Sequence, residues 1–240
     1  GVVKPPPPPP PAPPPAAAFD AAAMRRAIAA SMARSKREIP HYYLSTEIDV
    51  TRARVWLDAE NARRTIAERV LFASVLLKAA ALAVGEVPEM NGVFVDDAFR
   101  PSTAGYVGGS VALRQGGLVA PAIHDVTEKS IGDVQTALLD LVARARAGRL
   151  RSSEMSDPTI TVTNLGDQGV DTVFGVIYRP QVALVGFGRV AERPWASDGM
   201  LGVRTVVTAT LAADHRVSDG HRGAVYLRAV DRLLQKPEEL

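Results

Sequence analysis

The sequence contains no cysteine. This absence excludes a disulfide framework, a metal site built on thiolates and a cysteine nucleophile. The side chains that remain for proton transfer and charge stabilisation are the four histidines, the carboxylates and the hydroxyls. A catalytic site in this chain must therefore be assembled from these groups.

The sequence also lacks an excess of charge of one sign and a long apolar run. Its net charge is +2, which is too small to indicate a nucleic-acid partner. The longest apolar candidate, residues 70–84, is interrupted by Ser74 and Lys78 and falls short of the roughly 18 residues that indicate a transmembrane helix. We expect no nucleic acid or membrane partner, and a location in the cytoplasm, or in the mitochondrial matrix of a eukaryote.

Proline is concentrated at the start of the chain, in residues 5–11 and 13–15. Such a run cannot donate backbone hydrogen bonds and favours a stiff polyproline II rod. We predict a linker over residues 1–18 and one folded domain over residues 19–240. The run is also of the kind that small modules with aromatic grooves bind, and the initial Gly1 suggests a fragment of a longer protein.

Hydrophobic periodicity predicts alternating helices and strands after the linker. Predicted helices cover residues 20–37, 51–64, 68–84, 130–148 and 219–235; predicted strands cover residues 42–50, 92–95, 99–101, 107–113, 118–123, 159–163, 182–188 and 205–212. Mixed elements in this order favour an α/β fold, an α+β two-layer sandwich in which one sheet carries helices on one face.

The sequence places His215 where a β-branched strand gives way to a helix, four residues before Asp219 and Gly220. An imidazole held by a fixed backbone can take and return a proton near neutral pH. The spacing His-x-x-x-Asp-Gly is short, so a capping aspartate beside a structural histidine remains an alternative at this point.

Longer motifs give this histidine a context. They include residues 159–166 (TITVTNLG), 174–177 (FGVI), 180–188 (PQVALVGFG) and 214–220 (DHRVSDG), preceded by residues 24–29 (MRRAIA), 39–43 (IPHYY), 76–80 (LLKAA) and 117–121 (GLVAP). In sequence and in order, they resemble the catalytic domain of the dihydrolipoamide acyltransferase (E2) of 2-oxo acid dehydrogenase complexes. The resemblance implies the chloramphenicol-acetyltransferase-like fold of CoA-dependent acyltransferases.

The resemblance implies acyl transfer between dihydrolipoamide and coenzyme A, without a metal. His215 would act as general base on the coenzyme A thiol and return the proton to the departing dihydrolipoamide sulfur. Thr163, at the hydroxyl position of the strand motif, would stabilise the oxyanion. Asp219 would hold the loop, by pairing with Arg216, rather than transfer a proton. The lipoyl group would come from a separate or missing lipoyl domain.

Coenzyme A contacts are predicted at three residues. Arg25 and Arg26 lie on the first helix, and guanidinium groups match the geometry of the coenzyme A phosphates. Asn164 follows the hydroxyl position in the strand motif. Of the other histidines, His41 is predicted to pack or cap rather than catalyse, and His124 to be structural or to lie at the surface. His221 is predicted to begin the final helix and to face away from the site.

The family's site lies between subunits of a trimer, with the histidine from one chain and the hydroxyl residue from its neighbour. The resemblance therefore implies a homotrimer and partnership with the E1 and E3 enzymes of the complex. The chain ends at residues 236–240 (KPEEL), without the run of leucines that hooks many family trimers together. We expect a trimer that assembles no further, or only weakly.

Two alternatives belong to other classes. One is a trimeric scaffold for partner enzymes whose acyl transfer is vestigial, although such a scaffold has no need of His215, Asp219 and Thr163 together. The other is an O-acetyltransferase acting on a small hydroxyl compound, as chloramphenicol acetyltransferase does.

Overall fold

A computed structural model describes residues 21–113, 117–197 and 199–240. The predicted linker over residues 1–18 lies outside the described residues. Within the described part, no helix combines the length and the apolar composition needed to cross a membrane.

The described chain is organised around one mixed sheet of seven strands, accompanied by two short ribbons. The strands are β1 (His41–Asp49), β2 (Gly92–Val95), β3 (Ala98–Pro101), β4 (Val107–Gly109), β5 (Val111–Ala112), β6 (Leu118–Val119), β7 (Ala122–Ile123), β8 (Ile160–Asn164), β9 (Ala183–Phe187), β10 (Ala191–Ser197) and β11 (Met200–Asp214). The main sheet has the order β1-β11-β9-β8-β4-β7, and β10 pairs with β11. Strand β8 runs parallel to β4 and β9, whereas the other pairs in this sheet are antiparallel.

The five predicted helices occur in the predicted order, and the structure adds one short helix, Ser152–Ser156, that is absent from the predicted elements. The helices are α1 (Ala21–Glu38), α2 (Thr51–Ala62), α3 (Phe72–Ala83), α4 (Ile131–Arg146), α5 (Ser152–Ser156) and α6 (Gly220–Leu234), with short 3-10 turns at Ile66–Glu68, Pro88–Met90, Gly166–Gln168 and Pro237–Glu239. Helix α3 begins four residues later than predicted. The reason is local: Thr65 and Glu68 form a capping box around the preceding 3-10 turn.

The core lies between one face of the sheet and helices α2, α3, α4 and α6. Strand β8 shows the alternation, since Ile160 and Val162 join this core while Thr161 and Thr163 point to the other face. Tyr226 of α6 is fully buried and its hydroxyl donates a hydrogen bond to the Ala80 carbonyl of α3, at 2.9 Å. The predicted two-layer α/β arrangement is confirmed.

The other face of β9 and β11 is covered by an extended segment, residues 170–180, which we call the strap. Its Ile177 is fully buried and packs with Ile39, Leu184 and Ala212. Glycines allow the close approach: a Cβ at Gly186 would lie 2.5 Å from the Val173 carbonyl oxygen. The strap therefore lies directly on the sheet backbone.

The hairpin of β10 and β11 is absent from the predicted elements. Strand β11 begins at Met200, five residues before the predicted strand, and its first part pairs with β10. Met200 and Leu201 are 72% and 78% exposed, so this part lacks the apolar burial pattern that identifies a core strand. The sequence signal for this hairpin is the Asp198-Gly199 dipeptide, a pair of residue types that favours a tight hairpin turn.

The strap generates a stability prediction. A methyl group added at Gly188 would collide with the backbone carbonyl of Asp171 in the strap, whereas Gly202 of β11 has open space around the same position. We expect Gly188→Ala to lower the free energy of unfolding by about 1–3 kcal/mol, and Gly202→Ala to change it by less than about 0.5 kcal/mol. Urea unfolding of both variants measures this, and equal effects would contradict the packing of the strap.

Candidate active site

His215 directly follows β11 and is held by backbone hydrogen bonds. Its N–H donates to the Pro40 carbonyl, at 3.0 Å, just before β1. The N–H groups of Val217 and Ser218 both donate to the Asp214 carbonyl, at 3.0 and 3.1 Å, which closes a tight turn around His215. The imidazole is therefore presented from a fixed backbone position at the end of a central strand, as the sequence predicts.

The turn is held by an ion pair between Asp214 and Arg216. The Asp214 side chain is fully buried and accepts hydrogen bonds from the Arg216 backbone N–H (3.0 Å), Nε (3.0 Å) and Nη2 (2.6 Å). The guanidinium lies 3.9 Å from the centroid of the Phe94 ring. Charge-assisted hydrogen bonds of this kind supply both energy and geometry, so the two side chains fix the backbone on both sides of His215.

The prediction that Arg216 pairs with Asp219 is wrong. Arg216 pairs with Asp214, its neighbour two residues back in the same tight turn. Asp219 instead caps α6, where its Oδ1 accepts the Arg222 backbone N–H at 3.0 Å. Hydrogen bonds from the backbone of Arg222, and then of His221, hold the pKa of the Asp219 carboxyl below its usual value. Asp219 therefore joins the loop to α6 as the N-cap of this helix, rather than through an ion pair with Arg216.

Tyr42 of β1 forms one wall beside His215. The two rings meet edge to face, with centroids 5.2 Å apart. The Tyr42 hydroxyl shares a hydrogen bond of 2.9 Å with the Ser218 hydroxyl, and burial raises the pKa of Tyr42. The sequence does not predict this contact between Tyr42 and His215, because the contact depends on the antiparallel register that pairs Tyr42 with Ala213.

Thr163 does not meet His215 within one chain. It lies on β8, is 6% exposed, and pairs with Gly186 of β9, which in turn pairs with Thr210 of β11. Two strand spacings and five residues along β11 separate it from His215, which corresponds to about 19 Å between Cα atoms. A single acyl group cannot contact both side chains of the same subunit.

The residues predicted to contact coenzyme A lie in two places. Asn164 accepts the Gly166 backbone N–H at 2.8 Å and lines a cavity of about 320 Å³ together with Arg54 and Arg189. Arg25 and Arg26 are exposed on α1. No described contact joins these arginines to Asn164, so their role in binding stays a prediction.

In the part of the chain that the structure describes, His124 does not form a second centre of this kind. His124 Nε2 donates to the Asp157 carboxylate at 2.9 Å rather than to its sequence neighbour Asp125, and its ring packs edge-on against Tyr106. Among the described residues, no group of three or more histidine, aspartate and glutamate side chains is arranged to hold a metal ion.

The cap at Asp219 generates a second prediction. Asparagine accepts the same N-terminal hydrogen bond, so Asp219→Asn should change the free energy of unfolding by less than about 0.5 kcal/mol, whereas Asp219→Ala should lower it by about 1 kcal/mol. Thermal or urea unfolding compares the two variants. An equal loss in both would show that the carboxylate charge, and not the cap, supports this turn.

Comparison with known proteins identifies the family of this chain. Residues 15–240 match the family described as 2-oxoacid dehydrogenases acyltransferase (catalytic domain). The chain is 32% identical over 217 residues to the dihydrolipoyllysine-residue acetyltransferase component of the pyruvate dehydrogenase complex of Zymomonas mobilis, covering 89% of this chain and 49% of that protein. For the component of the same name in Staphylococcus epidermidis, the identity is 34% over 221 residues, covering 90% and 51%. The chain thus spans about half the length of these relatives.

Solved structures show the same fold. The probable dihydrolipoamide acetyltransferase from Listeria monocytogenes matches with a TM-score of 0.85 and 28% identity, covering 91% of this chain and 93% of that one. A truncated catalytic core of the 2-oxoacid dehydrogenase multienzyme complex from Thermoplasma acidophilum matches with a TM-score of 0.80 and 26% identity, covering 91% and 98%. The chain therefore belongs to the family of 2-oxo acid dehydrogenase acyltransferase catalytic domains.

Proposed function

We propose that this chain transfers an acyl group between dihydrolipoamide and coenzyme A, as the catalytic core of a 2-oxo acid dehydrogenase-type complex. The proposal depends on the position of His215. Its imidazole is exposed at the end of β11, and the Asp214–Arg216 ion pair fixes the surrounding backbone, in a chain of the acyltransferase family. Because the relatives are named acetyltransferases, acetyl is the first acyl group to test.

His215 acts as the base in this reaction. Its imidazole takes the proton of the coenzyme A thiol, and the thiolate attacks the carbonyl carbon of the acyl-dihydrolipoamide thioester. The tetrahedral intermediate then expels the dihydrolipoamide thiolate, which takes the proton back from the imidazolium. The reverse reaction uses the same steps.

Thr163 stabilises the oxyanion of the tetrahedral intermediate. The described part of the chain shows no hydrogen-bond partner for its hydroxyl, so the group is available as a donor. One such donor is worth about 3 kcal/mol in acyl transfer. Thr161 is different, because its hydroxyl already donates to Gln181 Oε1 at 2.7 Å.

The two catalytic side chains come from different subunits of a homotrimer. The support is the separation of about 19 Å between His215 and Thr163 along the register of one sheet. In a cyclic trimer, each interface can bring His215 of one subunit next to Thr163 of its neighbour. Coenzyme A enters as a substrate and contacts Asn164, Arg25 and Arg26. The lipoyl group comes from a separate domain, and the E1 and E3 enzymes are the partners.

Single substitutions test the two roles. We expect His215→Ala to lower kcat for transfer of acetyl from acetyl-coenzyme A to dihydrolipoamide by about 10²–10⁴-fold, and Thr163→Val by about 100-fold. Thr161→Val is the matched control on the same strand face, and its kcat should stay within a few-fold of the original. A fully active His215→Ala chain would refute the proposed mechanism, and absent transfer in the unmodified chain for acetyl, succinyl and isobutyryl groups would favour a scaffold.

Mixing the two inactive variants tests the shared site. If His215 and Thr163 act across an interface, refolding equal amounts of His215→Ala and Thr163→Val chains together restores complete sites at about a quarter of the interfaces. We expect about a quarter of the unmodified activity. Each variant refolded alone is the control, and the mixtures are first sized in solution. No recovery in mixed trimers would mean that both groups serve within one subunit or that one of them does not serve at all.

A further inference from the structure

Both ring nitrogens of His41 are engaged by backbone groups. Nδ1 lies 2.9 Å from the Ile39 carbonyl oxygen, which only accepts, and Nε2 lies 3.2 Å from the Ile177 N–H, which only donates. Only the neutral ring with its proton on Nδ1 satisfies both contacts. A second proton on Nε2 would remove the acceptor that holds Ile177.

Ile177 is the anchor of the strap. Its side chain is fully buried, and its peptide groups are held by two side chains: His41 accepts from its N–H, and Ser35 of α1 donates to its carbonyl at 2.7 Å. Ser35 is itself fully buried. Since the strap forms no ladder with the sheet at Ile177, these two side-chain hydrogen bonds satisfy the peptide groups there and hold the middle of the strap.

The strap connects the surroundings of the two catalytic side chains. At one end, Val173 lies over Gly186, the registered neighbour of Thr163, and the Val173 carbonyl accepts a hydrogen bond from Thr210. Paired residues of adjacent strands point to the same face, so the Thr163 side chain points to the face of the sheet on which Val173 lies.

At the other end, His41 is paired with Asp214 in the register of β1 and β11. Its Nδ1 contact to Ile39 closes a turn around Pro40, and the Pro40 carbonyl receives the His215 backbone N–H. The His41 ring therefore contacts both the strap and the 39–41 turn, whose Pro40 carbonyl binds the His215 backbone N–H.

We propose that His41 is a positioning residue for acyl transfer: in its neutral form it fixes the strap beside Thr163 and the turn that seats His215, and protonation of its Nε2 releases the strap. The catalytic consequence rests on the proposed function, whereas the release of the strap does not.

Two charged groups and one aromatic ring, from three elements, face His41. Lys36 of α1 disfavours a second proton, Asp214 of β11 favours it, and the Tyr43 ring of β1 stacks on His41 with centroids 5.9 Å apart. Burial is the largest influence and lowers the pKa of His41 below its ordinary value of 6.5. The released ring binds a proton more readily than the held ring. Strap opening thus becomes more favourable as the pH falls below about 6.5, and levels off at the folded pKa.

Hydrogen–deuterium exchange of residues 170–180 between pH 7.5 and 5.0, corrected for the intrinsic exchange rate, tests the inference on the intact chain. We expect exchange in the unmodified chain to rise by up to about tenfold per pH unit below 6.5. His41→Gln offers a carbonyl acceptor at a similar reach and does not titrate, so its strap should show no such rise. His124→Gln is the matched control and should behave like the unmodified chain.

The outcomes separate this inference from the proposed function. Strap exchange that is independent of pH in the unmodified chain, or the same rise in His41→Gln, overturns the role of His41 even if acyl transfer is active. A rise that His41→Gln abolishes supports the role even if acyl transfer is absent. Where transfer is active, the kcat of His41→Gln should fall less steeply than that of the unmodified chain between pH 6.5 and the folded pKa of His41.

Discussion

The buried carboxylate of Asp214 is the constraint around which the site is organised. A fully buried charge at the end of a strand is costly unless it is paired and hydrogen-bonded, and here Arg216 satisfies it through backbone and side chain together. Meeting this requirement closes the turn after β11. His215 lies between the two partners, so the same bonds that neutralise the charge also determine where the imidazole is presented.

The two faces of the main sheet pack against different layers: helices cover one face, and the strap covers part of the other. The helical face of the sheet is packed with aliphatic side chains, and Tyr226 and Lys78 place their polar atoms on backbone carbonyls of that layer. Its other face carries threonines, glycines and small side chains, on which the strap lies close to the backbone. Thr163 belongs to this second layer. The strap therefore covers the face on which the Thr163 hydroxyl lies, while the helical core stabilises strand β8, which carries Thr163.

Much of the architecture could be predicted locally. The helices at 51–64 and 130–148 end within two residues of their predicted limits, because periodicity and capping signals such as Ser130 lie within a few residues of each other. The predicted strand at 107–113 is divided, since β4 pairs in the main sheet while β5 leaves it to pair with β6. Such a division depends on which distant strand is available, and no window of sequence contains that information.

The sequence by itself determined the order of most helices and strands and their apolar faces, since these depend on neighbours along the chain. It also determined the motifs that contain His215, Asp219 and Thr163. Tertiary structure alone decided that Arg216 pairs with Asp214, and that Tyr42 flanks His215. It also decided that Thr163 lies two strands away from the strand that ends beside His215. These facts follow from strand register and from the satisfaction of buried polar groups, which are settled only when distant segments pack together.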